Sequence, residues 1–327
     1  TLDGGLRSAY AGFDVSQAAG NVLVTSPEVV QPLDTATVAF TGETAVTGLA
    51  VEHGADQVLF ADPSEGTVWT STTATAAGFS PSAEPTLKDL DQPRVAVGVD
   101  GTGYVLTADG AVRTVEGAGQ EAAVTMLDWG IEGGVGVDAQ LTALGDQLVV
   151  LDGTRLTVGG RTIDDPALAD GVLQQPSEAG SAVVVATPIA LLKVDAGNGA
   201  VTSQDVPTGV PAAPVALDGC AYGLWGQSGF YVRDCGSPEL DQAAQFPELA
   251  TAQAPVFRTN RKVIVINDTV TGATYLPLES MLRVDNWDLI SAQLDEQDNQ
   301  ESEETDQTEL SQVQEFSEEQ HAPEAVD

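Results

Sequence analysis

Apolar residues occur along this chain in short runs that predict β-strands. Typical runs cover residues 58–60, 95–99, 148–151, 183–185 and 263–266, and each is bounded by Gly, Asp, Asn or Pro. Up to about residue 290 no long stretch has the 3.6-residue periodicity of an amphipathic helix. The pattern therefore excludes a helical bundle and disfavours an α/β fold, which needs helices between its strands.

These runs are grouped in a longer repeat of three or more apolar runs separated by Gly/Asp turns. The repeats are 32 to 47 residues apart, which is the length that four short strands and their turns require. We therefore predict an all-β fold for residues 1–290, a β-propeller of about seven four-stranded blades, with six or eight as alternatives. The repeats start near Gly12, Thr47, Arg94, Ala139, Gly171, Ala212 and Ala254.

A turn motif of the form Asp-x-x-x-Gly recurs inside the repeats. It occurs as Asp62-Pro-Ser-Glu-Gly66, Asp195-Ala-Gly-Asn-Gly199 and Asp268-Thr-Val-Thr-Gly272. An Asp carboxylate can accept hydrogen bonds from turn amides, and Gly readily adopts the positive φ that ends such a turn. A calcium loop would need further carboxylates at alternate positions and a late bidentate Glu, so we interpret the motif as a hairpin turn.

The chain is strongly acidic, with a net charge of −37. Residues 295–327 carry 13 acidic and no basic residues, and the remainder carries 36 acidic against 12 basic residues, a net of −24. Such a surface repels nucleic-acid phosphates and anionic lipid headgroups. No apolar segment approaches the roughly 20 residues that span a bilayer. We expect no nucleic-acid partner and no membrane insertion by this segment.

The composition changes after Trp287. The last residues are rich in Glu, Asp, Gln and Ser and carry few large apolar side chains, so they cannot bury enough area to offset the entropy of ordering. We predict that residues 291–327 are a disordered acidic linker.

The chain has two cysteines, Cys220 and Cys235, and they flank a predicted hairpin. A turn centred between residues 227 and 228 sets Trp225 opposite Phe230 and Cys220 opposite Cys235. Directly opposite residues of an antiparallel pair lie close enough for a disulfide. Metal binding would need four ligands, and the two Cys and two His that could supply them lie far apart in sequence. The predicted disulfide implies an oxidising, extracytoplasmic compartment.

The same hairpin concentrates aromatic residues in a chain with only 5% aromatics. Two interpretations are open: the residues fill blade interfaces, or they form a patch on which glycans stack. The candidate ligand-contact residues are Trp225, Tyr222, Phe230 and Tyr231.

No catalytic site is evident in the sequence. His53 is the sole histidine before the acidic tail, and we interpret it as an exposed turn residue, whereas a propeller lyase of the streptogramin-inactivating kind needs a histidine acid/base with a metal. Glycoside hydrolysis needs two carboxylates roughly 5–10 Å apart. With 36 acidic residues before the tail, such pairs arise by chance, so the sequence does not single out any one of them. We assign Arg258 and Arg261 structural ion pairs with Asp285 or Asp288, and we expect no metal or other cofactor.

Residues 172–288 resemble one family: large actinobacterial surface proteins with an N-terminal propeller-like region followed by tandem immunoglobulin-like or fibronectin type III repeats. The last six residues, 322–327, resemble the opening strand of such a repeat. The resemblance implies a signal or anchor upstream and a repeat stalk downstream. The stretches that carry it are Val172-Leu-Gln-Gln-Pro176, Ala212-Ala-Pro-Val-Ala-Leu-Asp-Gly-Cys220, Tyr231-Val-Arg-Asp-Cys235, Phe257-Arg-Thr-Asn-Arg261, Val265-Ile-Asn-Asp268 and Val284-Asp-Asn-Trp-Asp288.

These observations favour a non-enzymatic function outside the cytoplasm. We predict a scaffold or interaction head of a secreted or cell-surface repeat protein, which binds protein or a cell-wall polymer. A lectin-like propeller that binds glycans through the aromatic residues is one alternative, and a propeller enzyme with lyase or glycoside chemistry is another.

Overall fold

Seven antiparallel sheets make up the fold. The computed structural model describes residues 13–260 and 262–284, and 28 strands lie within them. Sheets are numbered one to seven in chain order.

The first three sheets cover residues 14–130. Their strands are β1 (Asp14–Ala18), β2 (Asn21–Thr25), β3 (Val29–Asp34), β4 (Ala39–Phe40), β5 (Thr44–Ala45), β6 (Ala50–Gly54), β7 (Gln57–Asp62), β8 (Thr67–Thr72), β9 (Arg94–Val97), β10 (Gly103–Leu106), β11 (Ala111–Glu116) and β12 (Ala123–Gly130).

The other four sheets have four strands each. These are β13 (Gln140–Leu144), β14 (Gln147–Asp152), β15 (Arg155–Val158), β16 (Arg161–Asp164), β17 (Val172–Leu173), β18 (Ala182–Thr187), β19 (Ala190–Asp195), β20 (Val201–Asp205), β21 (Val215–Leu217), β22 (Cys220–Trp225), β23 (Phe230–Asp234), β24 (Gln242–Gln245), β25 (Pro255–Asn260), β26 (Val263–Asp268), β27 (Thr274–Leu276) and β28 (Leu282–Val284).

The described helices are single 3₁₀ turns between strands, at Ala76–Gly78, Gly119–Glu121, Pro166–Leu168, Gly226–Ser228, Leu249–Thr251 and Pro277–Glu279.

Each sheet is an up-and-down meander, and together the sheets form a seven-bladed propeller. The first strands of neighbouring sheets contact one another, as β6 contacts β9 and β9 contacts β13, so these strands surround the central channel. The ring closes where β1 contacts β25. The predicted fold and the count of seven blades are confirmed, and every predicted repeat start lies within three residues of the first strand of a sheet.

Two sheets depart from the four-stranded pattern. The second sheet has three strands, and an antiparallel bridge from Val68 to Leu87 extends it outward. The first sheet has a fifth strand because β3 pairs with both β4 and β5. In the second sheet, the place of an outer fourth strand is therefore held by a single bridging residue, Leu87, from the chain beyond β8.

The core lies between the sheets. Six clusters of buried apolar side chains each join two consecutive sheets, from the first pair to the sixth. Because both faces of a sheet are covered, runs such as residues 148–151 are buried throughout instead of alternating.

No cluster of buried apolar side chains among the described residues joins the seventh sheet to the first, where Arg258 forms an ion pair with Asp14. Arg258 therefore pairs with a residue that was not predicted, and since Arg261, Asp285 and Asp288 lie outside the described residues, the predicted pairs stay predictions.

The predicted Asp-x-x-x-Gly turns are present. The Asp195 carboxylate accepts hydrogen bonds from the amides of Gly197 and Asn198 at 2.9 and 2.8 Å, and Gly199 has φ +78°. Asp62 accepts from two turn amides in the same way. Each motif is a hairpin turn, as predicted.

The predicted acidic linker, residues 291–327, and the terminal repeat-like segment lie outside the described residues.

Candidate functional site

The predicted disulfide connects Cys220 and Cys235 at the open end of the β22–β23 hairpin. The register is the predicted one, with Leu224 opposite Tyr231 and Trp225 opposite Phe230. The turn residues include Gly229, which has φ +64° and ends a single 3₁₀ turn. The disulfide is confirmed.

Three of the four aromatic residues of this hairpin lie in the interior, and Phe230 is half-buried. Trp225 and Tyr231 are fully buried, and Tyr222 is 5% exposed. The indole N–H of Trp225 donates to the carbonyl oxygen of Thr187 in the neighbouring sheet at 2.9 Å, and the ring of Phe230 packs edge-on against it. Burial raises the pKa of Tyr231 above its usual value. These side chains fill blade interfaces, and the buried rings offer no open face for a sugar.

His53 is not an exposed turn residue, so that prediction is wrong. It lies on β6, half-buried, and its ring nitrogens form hydrogen bonds with the Ser16 hydroxyl at 2.8 Å and the Thr73 hydroxyl at 3.1 Å. The turn comes two residues later, at Ala55 and Asp56, because Gly54 already pairs with Gln57. Burial lowers the pKa of His53, although the Ala55 backbone and the Asp56 charge oppose this effect.

An irregular segment, residues 174–181, crosses the central channel, and we call it the strap. It begins after β17, which has only two residues. Gln174 keeps the strap attached to the fifth sheet: its backbone N–H donates to the Val184 carbonyl at 3.1 Å, and its side-chain oxygen accepts from the Val184 N–H at 2.6 Å.

The strap then reaches three other sheets. The Gln175 N–H donates to the carbonyl of Pro214, which precedes β21, at 2.9 Å, and its side-chain amide donates to the carbonyl of Phe257 on β25 at 3.0 Å. Two residues later the Ser177 N–H donates to the carbonyl of Ala143 on β13 at 3.0 Å. The strap therefore connects the fourth, fifth, sixth and seventh sheets across the channel.

A cavity of about 550 Å³ lies beside the strap, and we call it the bowl. Its volume falls within the range of roughly 300–1,000 Å³ that is usual for ligand sites. Turns that follow the first strands form its rim. Residues that represent its wall are Ala18, Leu144, Pro176, Ala182, Leu217 and Thr259.

Two lysines line the bowl in a chain that has only Lys88, Lys193 and Lys262. Lys193 pairs with Asp234 at 2.7 Å, and Lys262 pairs with Asp218 at 3.6 Å. The same lining includes the carboxylates of Glu178 and Asp218, so charges of both signs face the bowl.

The sequence reasoning missed the bowl and the strap. The one available signal was Leu173-Gln-Gln-Pro176, in which two amide side chains and a proline follow a very short apolar run. Proline ends strand pairing because it lacks an N–H, and this indicates an early exit from the first strand of the sheet.

The carboxyl group of Glu52 has a strongly raised pKa. Glu52 lies on β6, open to the channel solvent and enclosed by the surrounding sheets. This enclosure, together with the nearby charge of Asp14, raises the pKa of Glu52 to about 7.

Among residues 13–260 and 262–284, no three His, Cys, Asp or Glu side chains are grouped so that they could hold a metal ion. Over the same residues, no helix is long and apolar enough to cross a membrane.

No protein-family model and no curated protein matches this chain. Solved structures do resemble it. A catalytically inactive variant of virginiamycin B lyase from Staphylococcus aureus with quinupristin has a TM-score of 0.53 and 14% identity, over 79% of this chain and 91% of that one. Apo AztD from Citrobacter koseri has a TM-score of 0.57 and 11% identity, over 84% and 85%. The dihydro-heme d1 dehydrogenase NirN in complex with DHE has a TM-score of 0.54 and 13% identity, over 86% and 67%. At these identities the similarity shows a shared propeller fold.

Proposed function

We propose that this propeller is a non-enzymatic binding head that works outside the cytoplasm and holds its partner in the bowl. The observation that carries the proposal is the bowl itself, a cavity of ligand size at one end of the channel. Large cavities with a few polar groups are the usual places for binding on a folded domain.

The proposed compartment follows from the Cys220–Cys235 disulfide, since such bonds persist mainly in oxidising environments. Together with the family resemblance, it supports a head of an actinobacterial surface protein that continues through residues 291–327 into immunoglobulin-like or fibronectin type III repeats. The partner is then another protein or a polymer of the cell wall.

The test is saturable binding of the fluorescently labelled protein to envelopes of the producing cells. Ala179 is an exposed residue of the bowl, and Ala179→Trp would occupy the cavity without disturbing a buried side chain. Ala36→Trp is the matched control, because Ala36 is exposed in the β3–β4 turn and does not line the bowl. We expect Ala179→Trp to abolish binding and Ala36→Trp to preserve it. Equal binding by both variants would refute the proposal.

A further inference from the structure

The strand β18 has an open backbone edge that faces the bowl. Backbone groups of alternate residues in a strand point to opposite sides. The carbonyl of Ser181 accepts from Ala196, beside β19, whereas the N–H and C=O of Val184 point the other way and pair with Gln174. The N–H and C=O of Ala182 therefore point to the same side as those of Val184.

Nothing in the described part of the chain pairs with these two groups of Ala182. The inner partner strand, β17, ends after pairing Leu173 with Val185, and the chain then leaves as the strap. Ala182 lines the bowl. One N–H donor and one C=O acceptor are thus presented side by side to whatever enters the cavity.

Small residues leave this edge accessible. The lining of the bowl includes Ala179, Gly180, Ala216 and Ala221, and none of them has a side chain long enough to cover the backbone. A ligand backbone can therefore come within hydrogen-bond distance.

The lining of the bowl holds charges of both signs, Lys193 and Lys262 with Glu178 and Asp218, and the exposed ammonium group of Lys262 is the one that a ligand carboxylate can approach. Lys262 and Asp218 are 80% and 54% exposed, and their atoms are 3.6 Å apart. Such an exposed pair contributes little to stability, so Lys262 can exchange Asp218 for a ligand carboxylate at low cost. Lys193, on β19 opposite Val184, adds a second ammonium group to the same wall.

We infer that the bowl binds an extended peptide segment that pairs with the backbone of Ala182 as a short added strand and places a carboxylate near Lys262. This inference rests on the proposed function and narrows the partner to a protein. An exposed sheet edge gives main-chain hydrogen bonds to an added strand, while neighbouring side chains give specificity.

The first experiment selects peptides from a random display library on the disulfide-intact protein. A selected peptide is then synthesised with single N-methyl groups on successive backbone amides. We expect the affinity to fall about tenfold where an amide pairs with Ala182 and to change little at the adjacent positions. Amidation of the peptide carboxylate should weaken binding to the wild type and to Lys88→Gln but leave binding to Lys262→Gln unaffected.

The second experiment changes the protein backbone. Ala182→Pro removes the N–H that faces the bowl, and proline is tolerated where a strand N–H has no ladder partner. Peptide affinity should fall about tenfold while the thermal unfolding midpoint stays close to that of the wild type. If Ala182→Pro does not fold, the N-methyl series decides the question.

The inference is overturned if no position of the peptide responds to N-methylation, or if folded Ala182→Pro binds as tightly as the wild type. If amidation of the peptide carboxylate also weakens binding to Lys262→Gln, the carboxylate does not interact with Lys262, and that part of the inference is overturned. If the library yields no peptide but Ala179→Trp still blocks envelope binding, the peptide inference fails and the proposed function stands. If Ala179→Trp also has no effect, both fail.

Discussion

Val38 ends the turn between β3 and β4 at a position where three other turns have glycine. Asp34 pairs with Ala39 across this turn, as Asp62 pairs with Thr67 across another, and four residues lie between them in each case. The Asp34 carboxylate accepts from the amide of Ala36 at 2.8 Å, as in the Asp-x-x-x-Gly motif. Val38 has φ +49°, a left-handed conformation that β-branched residues rarely adopt.

We expect Val38→Gly to stabilise the protein. A left-handed conformation costs a residue with a Cβ roughly 1–2 kcal/mol. Glycine removes this cost but loses about 0.5–1 kcal/mol through its greater freedom in the unfolded chain. Val38 is 47% exposed, so the loss of its side chain removes little buried apolar area. The expected net gain is about 0.5–1 kcal/mol, or about 2 °C in the midpoint of thermal unfolding.

Equilibrium denaturant unfolding measures this gain, and two variants serve as controls. Val38→Ala keeps a Cβ at positive φ and should not reproduce the gain. Gly272→Val places a side chain at φ +76°, where an added Cβ meets no atom within 4 Å, so by the same reasoning its expected net loss is about 0.5–1 kcal/mol and reports backbone conformation. The reasoning is refuted if Val38→Ala stabilises as much as Val38→Gly, or if Gly272→Val has no effect.

Three further predictions concern the disulfide and two carboxyl groups. Replacing Cys220 and Cys235 together by serine should lower the free energy of unfolding by about 3 kcal/mol, because the bond closes a loop of about 16 residues; an unchanged denaturant midpoint would contradict this. The pKa of Glu52 is raised from 4.5 to about 7 in the folded protein, so the stability it contributes is present below about pH 4.5 and is lost as the pH rises through about 7. The wild type should therefore lose stability relative to Glu52→Gln across that range, and parallel melting curves from pH 4 to pH 8 would show the prediction to be wrong. The buried Asp268 accepts from the Thr271 hydroxyl at 2.6 Å and from three backbone amides, so Asp268→Asn should cost about 1–3 kcal/mol in denaturant unfolding. Burial acts to raise the pKa of Asp268, but these hydrogen bonds outweigh it and lower the pKa, so the wild-type advantage over Asp268→Asn should shrink as the pH falls through the folded-state pKa.

Local signals in the sequence predicted the features that depend on nearby residues. The seven repeats, the turns and the Cys220–Cys235 hairpin all depend on pairings between strands that are adjacent in sequence. In such pairings the turn residues set the register. The turn that ends at Val38 was not predicted, because it lacks the final glycine that marks the other copies of the motif, although it has the initial aspartate, Asp34.

Features that depend on distant residues could not be predicted in this way. His53 precedes a Gly-Ala-Asp sequence that indicates a turn, but its ring is held by Ser16 and Thr73 from other strands. The aromatic residues of the hairpin fit both the interior and a binding surface. Only the packing of the next sheet against Trp225, through the carbonyl of Thr187, shows that the interior interpretation applies there.

The bowl and the strap have a common origin in the shortness of β17. A first strand of five or six residues, such as β13 or β25, would have covered the edge of β18 at Ala182. The chain instead leaves after Leu173, and Gln174 replaces the missing strand at Val184 with one amide side chain and one backbone N–H. The same departure supplies the segment that crosses the channel and exposes the backbone beside it. Lengthening β17 at the expense of the strap should therefore remove both features together, which is why we assign the strap a role in shaping the proposed binding site in addition to its bonds across the ring.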